Sequence, residues 1–443
     1  LSEQDVTLTD TPLTASVLNA LDTNPTGSID ANTLNTLTGA AVDLNTAFDS
    51  GGVSNLGDQD VTLTDTSLTA SVLNALNGNT TGSINANSIT TFIGAAAELN
   101  TVYASTNNIS GLGDENVTLS DITLAATLLN SLEGKTSGTI DASSISSLAG
   151  TAADLIAVYN SNKFSGLNNE EVTLSDTTLD AAVLNTLDDK TTGTIDASTV
   201  TTLTGTATEL NTAFTSTEIS GLGNENVTLS DTTLTASVLN ALNGNTTGSI
   251  DAASITALTG SATDLIEAVT ANGITGFGDE AITVDSGTAT TAQANALAAA
   301  TSGIVTATIA EGDLATLAAL NGTGNANSIT IADASVDAAA LNTLDGKTTI
   351  AINAAAVTTL TGAAVDLNTA FDSGGISNLG DEDVTLTDTS LTASVLNALD
   401  DNTTGSIDAS TLNTLTGAAV GLNTALNSGD IRILVYQDVT RTT

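Results

Sequence analysis

Apolar and polar positions along this chain follow two alternating periods. Val6, Thr7 and Leu8 keep the two-residue period of a strand, and Leu13, Val17, Leu18 and Leu21 then fall at i, i+4, i+5 and i+8, one face of a helix of two to three turns. Asp10 stands where an N-cap residue belongs, and Pro12 falls in the first turn, where a missing N–H costs little. A turn follows, written Gly-Asn-Thr-Thr-Gly at Gly78 to Gly82. A second short strand, Ser28-Ile29-Asp30, precedes a second apolar face at Leu34, Leu37, Ala41, Leu44 and Phe48. The link Val53 to Gly57 then returns the chain to the next Val-Thr-Leu.

This two-part unit recurs. Val-Thr-Leu-Thr/Ser-Asp begins at Val6, Val61, Val117, Val172, Val227 and Val384, with weaker copies at Ile282 and Ile329. The spacings are 55, 56, 55, 55, 55, 47 and 55 residues, so the chain divides into repeats 1–60, 61–116, 117–171, 172–226, 227–281, a short degenerate 282–328, 329–383 and 384–443. Self-similarity at this period marks a stacked repeat architecture. The expectation is an α/β solenoid of about 16 strand-plus-short-helix half-units. It should be curved or superhelical, because a helix is about 10 Å wide and a strand spacing only about 4.8 Å. Independent 55-residue beads fit less well, since such beads are marginal alone and no linkers separate them. The short sixth repeat reads either as a kink or as drift within one coil.

Composition narrows the chemistry. Fifty acidic residues oppose six basic ones for a formal charge of −44, and His, Cys, Met and Trp are absent. Imidazole bases, thiolates, disulfides and zinc knuckles are therefore unavailable. Six cations in 443 residues cannot neutralise a phosphate backbone, which argues against nucleic-acid binding. Hydrophobic residues make up 40 % of the chain, so the acidity is not that of a disordered segment. No apolar run reaches the length of a membrane span, so no membrane insertion is expected. The chain starts with Leu1, and no signal peptide is visible in it.

Candidate sites are repeated rather than unique. An Asp follows the first strand (Asp10, Asp65, Asp121, Asp176, Asp231, Asp333, Asp388), and an Asp or Asn follows the second (Asp30, Asn85, Asp141, Asp196, Asp251, Asn353, Asp408). Both series read as helix N-caps. The links carry Asp58, Asp60, Asp114, Glu115, Glu170, Glu171, Glu225, Asp279, Glu280, Asp381 and Asp383 on glycine-flanked turns. Such hard oxygen ligands suit Ca²⁺, and a solvated acidic turn is the plainer alternative. Leu-Asn dyads recur at Asn19, Asn45, Asn74, Asn100, Asn211, Asn240, Asn342, Asn368 and Asn397; a helix-end residue facing the next turn is favoured over a ladder along the stack. Thr-x-Thr phrases are too sparse for ice binding, and no carboxylate pair stands out for catalysis. Near the C-terminus, Ile431, Ile433, Val435 and Tyr436 form an apolar run with Arg432. They read as a docking strand for the next molecule's N-terminal coil or as a degenerate half-coil. Because the first and last residues share one phase of the repeat, a head-to-tail homo-polymer through the terminal coils is the expected partner arrangement.

Phrases such as Val-Thr-Leu-Ser-Asp-Thr-Thr-Leu at Val172 to Leu179, Ala-Ser-Val-Leu-Asn-Ala-Leu, Thr-Gly-Ser-Ile-Asp-Ala-Ser and Leu-Thr-Gly-Thr-Ala-Thr-Glu-Leu-Asn-Thr-Ala span essentially the whole chain. They resemble repeat arrays of giant, Cys-free, Thr-rich surface and secreted proteins of marine cyanobacteria, of the swimming-motility and RTX-adhesin kind. Gly111 to Val117 partly resembles the calcium-binding Gly-rich nonapeptide of RTX proteins, departing from it in occurring once per 55 residues. The resemblance implies an extracellular or cell-surface location and a structural role, as filament, surface layer or spacer, or as a calcium-rigidified adhesin stalk. It brings no catalytic residues.

Overall fold

The computed structural model describes residues 4–24, 27–432 and 438–441. The chain forms an α/β repeat solenoid with sixteen helices among the described residues, one for each expected half-unit. It divides into two compact units, Leu1–Thr204 with Thr212–Glu225, and Gly205–Asn211 with Asn226–Thr443.

In the first unit each helix closes a coil that holds two or three short strands. The opening order is Val6–Thr7, Leu13–Thr14, helix Ala15–Asp22, then Ile29–Asp30, Thr36–Gly39, helix Ala41–Phe48. The third coil adds one strand: Val53–Ser54, Asp60–Leu63, Ser67–Thr69, helix Ala70–Asn79. The helices therefore start later than their periodicity predicts. Leu13 and Leu37 belong to strands, and the helices begin at Ala15 and Ala41 after the extended residues Thr14 and Ala40. Leu13 stands two residues before buried Ala15 and Leu37 four before buried Ala41, so the apolar spacing runs across the boundary without a break. Val17, counted on the buried face, is 48 % exposed; Ala15 and Leu18 are the buried residues there.

Among the described residues the ladders are parallel, and in the first unit each column of strands advances by one coil of 23 to 25 residues: Leu13, Leu37, Val61, Ile84 and Ile109 face one another in turn. These five are at most 8 % exposed and stack as one apolar line. Burying each such side chain contributes about 1.5–3 kcal/mol. The column also drifts. Leu13 lies two residues before its helix, Leu37 four, Val61 nine, Ile84 twelve and Ile109 seventeen, after which the column ends. A new column has meanwhile begun beside the helices at Leu68, and another begins at Leu124. The 55-residue period is thus two coils plus one step sideways.

The second unit follows the same plan. One complete column runs through Val336, Leu360, Val384, Ile407 and Ile431. Its departure is the short repeat. There the column from Thr233–Thr235 still reaches five strands, but the helix after Val305–Thr308 is only Leu314–Leu317. The shortening fell on the helix and on the strands beside the two helices, which are reduced to the single bridge between Ala289 and Ile309.

Candidate functional site

The side chains that recur with the repeat sit at the joints between coils. The Asp of each Val-Thr-Leu-Thr/Ser-Asp phrase does cap a helix, but the helix belongs to the preceding coil. Asp65 accepts the Ala41 N–H at 2.8 Å, Asp121 that of Ala96 at 2.8 Å and Asp176 that of Ala152 at 2.8 Å in the first unit. In the second unit Asp231 accepts from Ala207, Asp333 from Leu314 and Asp388 from Ala364, each at 2.7 Å. A carboxylate at that point meets an N–H that the helix itself leaves unsatisfied and faces the positive end of its dipole. It also pins one coil to the next.

The second acidic series does not cap helices. Asp30, Asn85, Asp141, Asp196, Asp251, Asn353 and Asp408 each accept the N–H two residues on, closing an Asx turn at the corner between two strands. Asn and Asp close that turn equally well, which explains their exchange. The Ser198 side chain and N–H hold the Asp196 carboxyl below its ordinary range.

The asparagines of the Leu-Asn dyads form the ladder along the stack, against the expectation of a local role. Asn19 Nδ2 donates to Asp43 O at 2.9 Å, Asn45 to Val72 O at 3.0 Å, Asn74 to Glu98 O at 3.0 Å and Asn100 to Leu128 O at 3.2 Å. Asn342, Asn368 and Asn397 repeat the pattern in the second unit. Each of these helices therefore hands a hydrogen bond to its successor, whereas Ala152–Asn160 and Ala262–Thr270 carry Ile156 and Ile266 at that place.

The proposed calcium acids are not brought together. Neighbouring link residues alternate across an extended chain, so Asp114 is exposed while Glu115 beside it is fully buried. Glu115, Glu170, Glu225 and Glu280, with Glu382, point inward. Glu115 accepts the Gly113 N–H and the Tyr103 hydroxyl, Glu170 those of Asn168 and Tyr159, and Glu280 the Gly278 N–H. Gln59 fills the same place in the first link, its Oε1 accepting from Gly57 and Asp58. Asp58, Asp279, Glu171 and Asp381 face outward. Asp60 and Asp383, also outward, each accept the backbone N–H and hydroxyl of a serine one coil later, Ser83 and Ser406, which lower both carboxyls. Among the described residues no group of three or more acidic side chains gathers in metal-holding geometry. From the sequence, Glu115, Glu170, Glu225 and Glu280 read as cation ligands; their inward direction is missed, and its signal is a fixed place two residues after a link Gly or Asn.

Burial, with the Glu115 charge beside it, pushes the Tyr103 hydroxyl far above its ordinary range. Tyr159 rises to about 12, burial outweighing its hydrogen bond to Thr191. The link corner is tight. A Cβ on Gly82 would lie 2.3 Å from Gln59 O. A left-handed residue recurs four before each inward Gln or Glu, at Asn55, Gly111, Gly166, Gly221, Gly276 and Asn378. A surface groove of about 680 Å³ lies between helices Ala364–Asp372 and Ala393–Asn402, lined by Val365, Asn368, Thr369 and Val395. It is one more gap between stacked helices.

Ile431, read as part of a docking strand, is 8 % exposed and paired with Ile407 of its own chain. Ile433, Val435 and Tyr436 lie outside the described residues. The outermost columns hold three strands each: Val6–Thr7, Ile29–Asp30 and Val53–Ser54 at one end, Ser390–Thr392, Thr414–Gly417 and Asp438–Arg441 at the other. Asp10 is exposed. The helix Ala419–Asn427 opens on an exposed Ala419 and an 80 % exposed Val420, whereas Ala41, Ala96 and Ala364 are fully buried.

Among the described residues no helix is long and apolar enough to cross a membrane. No protein-family model matches the chain. No curated protein matches it either. A solved plant peptide hormone receptor, RGFR1 in complex with RGF2, aligns with 99 % of this chain and 73 % of its own at 11 % identity, with a TM-score of 0.15. A likeness that slight carries no argument about fold or function.

Proposed function

We propose that this chain is an extracellular structural protein whose acidic coils stack in phase into a filament, surface layer or spacer, copies joining head to tail through their terminal coils. The supporting observation is that a single joint is used over and over. The Asp-to-helix cap recurs repeat after repeat, and the Asn-to-helix bond recurs between most successive helices. A surface made to meet a copy of itself inside the chain is suited to meet one on another chain. A charge of −44 over eight repeats is 5.5 per repeat. Two such charges 5 to 10 Å apart repel by roughly 0.4–0.8 kcal/mol in water, and seawater-like salt screens them. The charge keeps neighbouring filaments apart while stacking proceeds along the axis.

Electron microscopy of native material tests the reading. Long ordered polymers of this chain are expected at high salt; single particles tethered to cells, with no polymer at any salt concentration, would overturn it.

A further inference from the structure

The chain holds four Asn-Gly pairs: Asn77-Gly78, Asn243-Gly244, Asn272-Gly273 and Asn321-Gly322. Asparagine is chemically labile, and most so before glycine, where no Cβ keeps the next backbone nitrogen away from the side-chain amide. The fold treats the four differently. Asn77 and Asn243 lie inside helices Ala70–Asn79 and Ala236–Asn245, where a glycine N–H is committed to the carbonyl four residues back. Asn272-Gly273 spans a turn closed by the Ile274 N–H on Ala271 O at 3.3 Å, and Gly273 O accepts the Ile250 N–H at 2.8 Å.

Asn321-Gly322 has no such hold. Residues 321–324 are exposed and lie outside every helix and strand. Among the described residues neither the Asn321 side-chain amide nor the Gly322 N–H has a hydrogen-bond partner. Gly322 and Gly324 both have positive φ, 80° and 93°, so the span turns twice through conformations only glycine takes readily. The chain on either side is anchored. Leu320 is 1 % exposed, the Asn321 N–H meets Asn295 Oδ1 at 2.7 Å, and Asn325 Oδ1 meets the Val305 N–H at 3.0 Å. A free nucleophile, a free leaving group and solvent therefore meet between two fixed points.

We propose that Asn321 is a self-modification site, converting in water to aspartate and isoaspartate without any enzyme. The Gly322 nitrogen bonds to Asn321 Cγ as the Cγ–Nδ2 bond breaks. The Gly322 proton leaves with Nδ2 as ammonia, and a succinimide ring closes. Water then opens the ring. Attack at Cγ gives aspartate; attack at the Asn321 main-chain carbonyl leaves Gly322 joined through Cγ, so the backbone gains one carbon. Either product adds a carboxylate to an acidic surface. The isoaspartate also lengthens the path from Leu320 to Asn325, in the coil whose helix is only Leu314–Leu317. The extra length falls on the strand just beyond, Ala326–Ser328, which pairs with Val305–Thr308. The reaction runs one way, and it makes the short repeat the part of the stack that loosens with age.

Ageing the folded full chain in warm, mildly alkaline buffer tests this. After digestion, mass spectrometry reads the amide-to-acid exchange at each Asn-Gly pair, and labelling by an isoaspartyl methyltransferase reports the β-linked product. Asn321 should convert about tenfold faster than Asn272, and faster still than Asn77 and Asn243, which must wait for local unfolding. Asn321→Gln, whose side chain would have to close a larger ring, should stay intact at that position. In the same samples hydrogen exchange at the Val305 amide should quicken with age in the wild type and hold steady in Asn321→Gln. Equal conversion at all the pairs, or none at Asn321, would overturn the proposal. Conversion with Val305 unchanged would overturn the loosening.

Discussion

The regular coils and the short repeat at 282–328 differ in what they keep. A regular second helix runs eight or nine residues, as in Ala41–Phe48 and Ala364–Asp372; its counterpart in the short repeat is the single turn Leu314–Leu317. Yet that turn still receives its cap from the next coil, Asp333 accepting the Leu314 N–H, and Glu311 caps the helix before it at Thr291. The sheet column passes through unbroken, with Asn325 Oδ1 accepting the Val305 N–H where a backbone carbonyl would ordinarily serve. Asn295 still bonds to the following segment at Ala319. Helix length is therefore adjustable in this fold, as are the strands beside the helices, here only the Ala289–Ile309 bridge, while the column from Thr233–Thr235, the cap and the asparagine bond persist. The joint is the conserved quantity of the architecture, and the helix is its filler.

Three measurements press on that contrast. Leu360→Ala and Leu317→Ala each remove a fully buried side chain. In urea unfolding the first should cost about 3 kcal/mol and the second about half of that, because a one-turn helix can settle into the gap. Equal losses would show that the short coil is packed as rigidly as the rest. Next, Asp388→Ala should cost about 1 kcal/mol and leave the Leu367 amide protected from hydrogen exchange, since its helix has two turns and a packed face. Asp333→Ala should cost a similar amount but open the whole short helix, because a single turn has almost no stability of its own. The Leu317 amide would then exchange with its surroundings. Smallest is the response to alkali. Tyr103 and Tyr159 have folded-state values raised above 10.0, so their contribution is present below pH 10 and is lost as pH rises toward the folded values, about 12 for Tyr159. The short repeat has no tyrosine. Between pH 10 and 12, exchange should accelerate around Tyr103 and Tyr159 before it does at 282–328.

Much of this was readable from the letters. The period, the alternation of strand and helix and the count of half-units follow from side chains repeating in chain order. What escaped is what depends on a neighbour one coil away. Asp65 looks like a cap and is one, but nothing local says that its helix starts at Ala41, before it in the chain. Asn45 looks like a helix-end residue until Val72 is seen beside it. The strands Leu13–Thr14 and Thr36–Gly39 hid because their inward leucines continue the helical spacing. The link acids looked like a shared oxygen cluster because sequence proximity does not show that Asp114 and Glu115 leave the chain in opposite directions.

The sideways step of the strand columns has a mechanical consequence. Because a regular column lasts five coils and the next starts two coils after it has started, regular columns overlap their successors, as staggered courses do in brickwork. Within each unit no seam runs straight along the stack. A tear that opens between two strands of one column meets an intact ladder of the next before it crosses the coil, so a pull along the axis is shared as shear between neighbouring columns. In a single-molecule pulling experiment, extension should therefore come in steps larger than one 24-residue coil, set by how far a broken column overlaps the one that still holds.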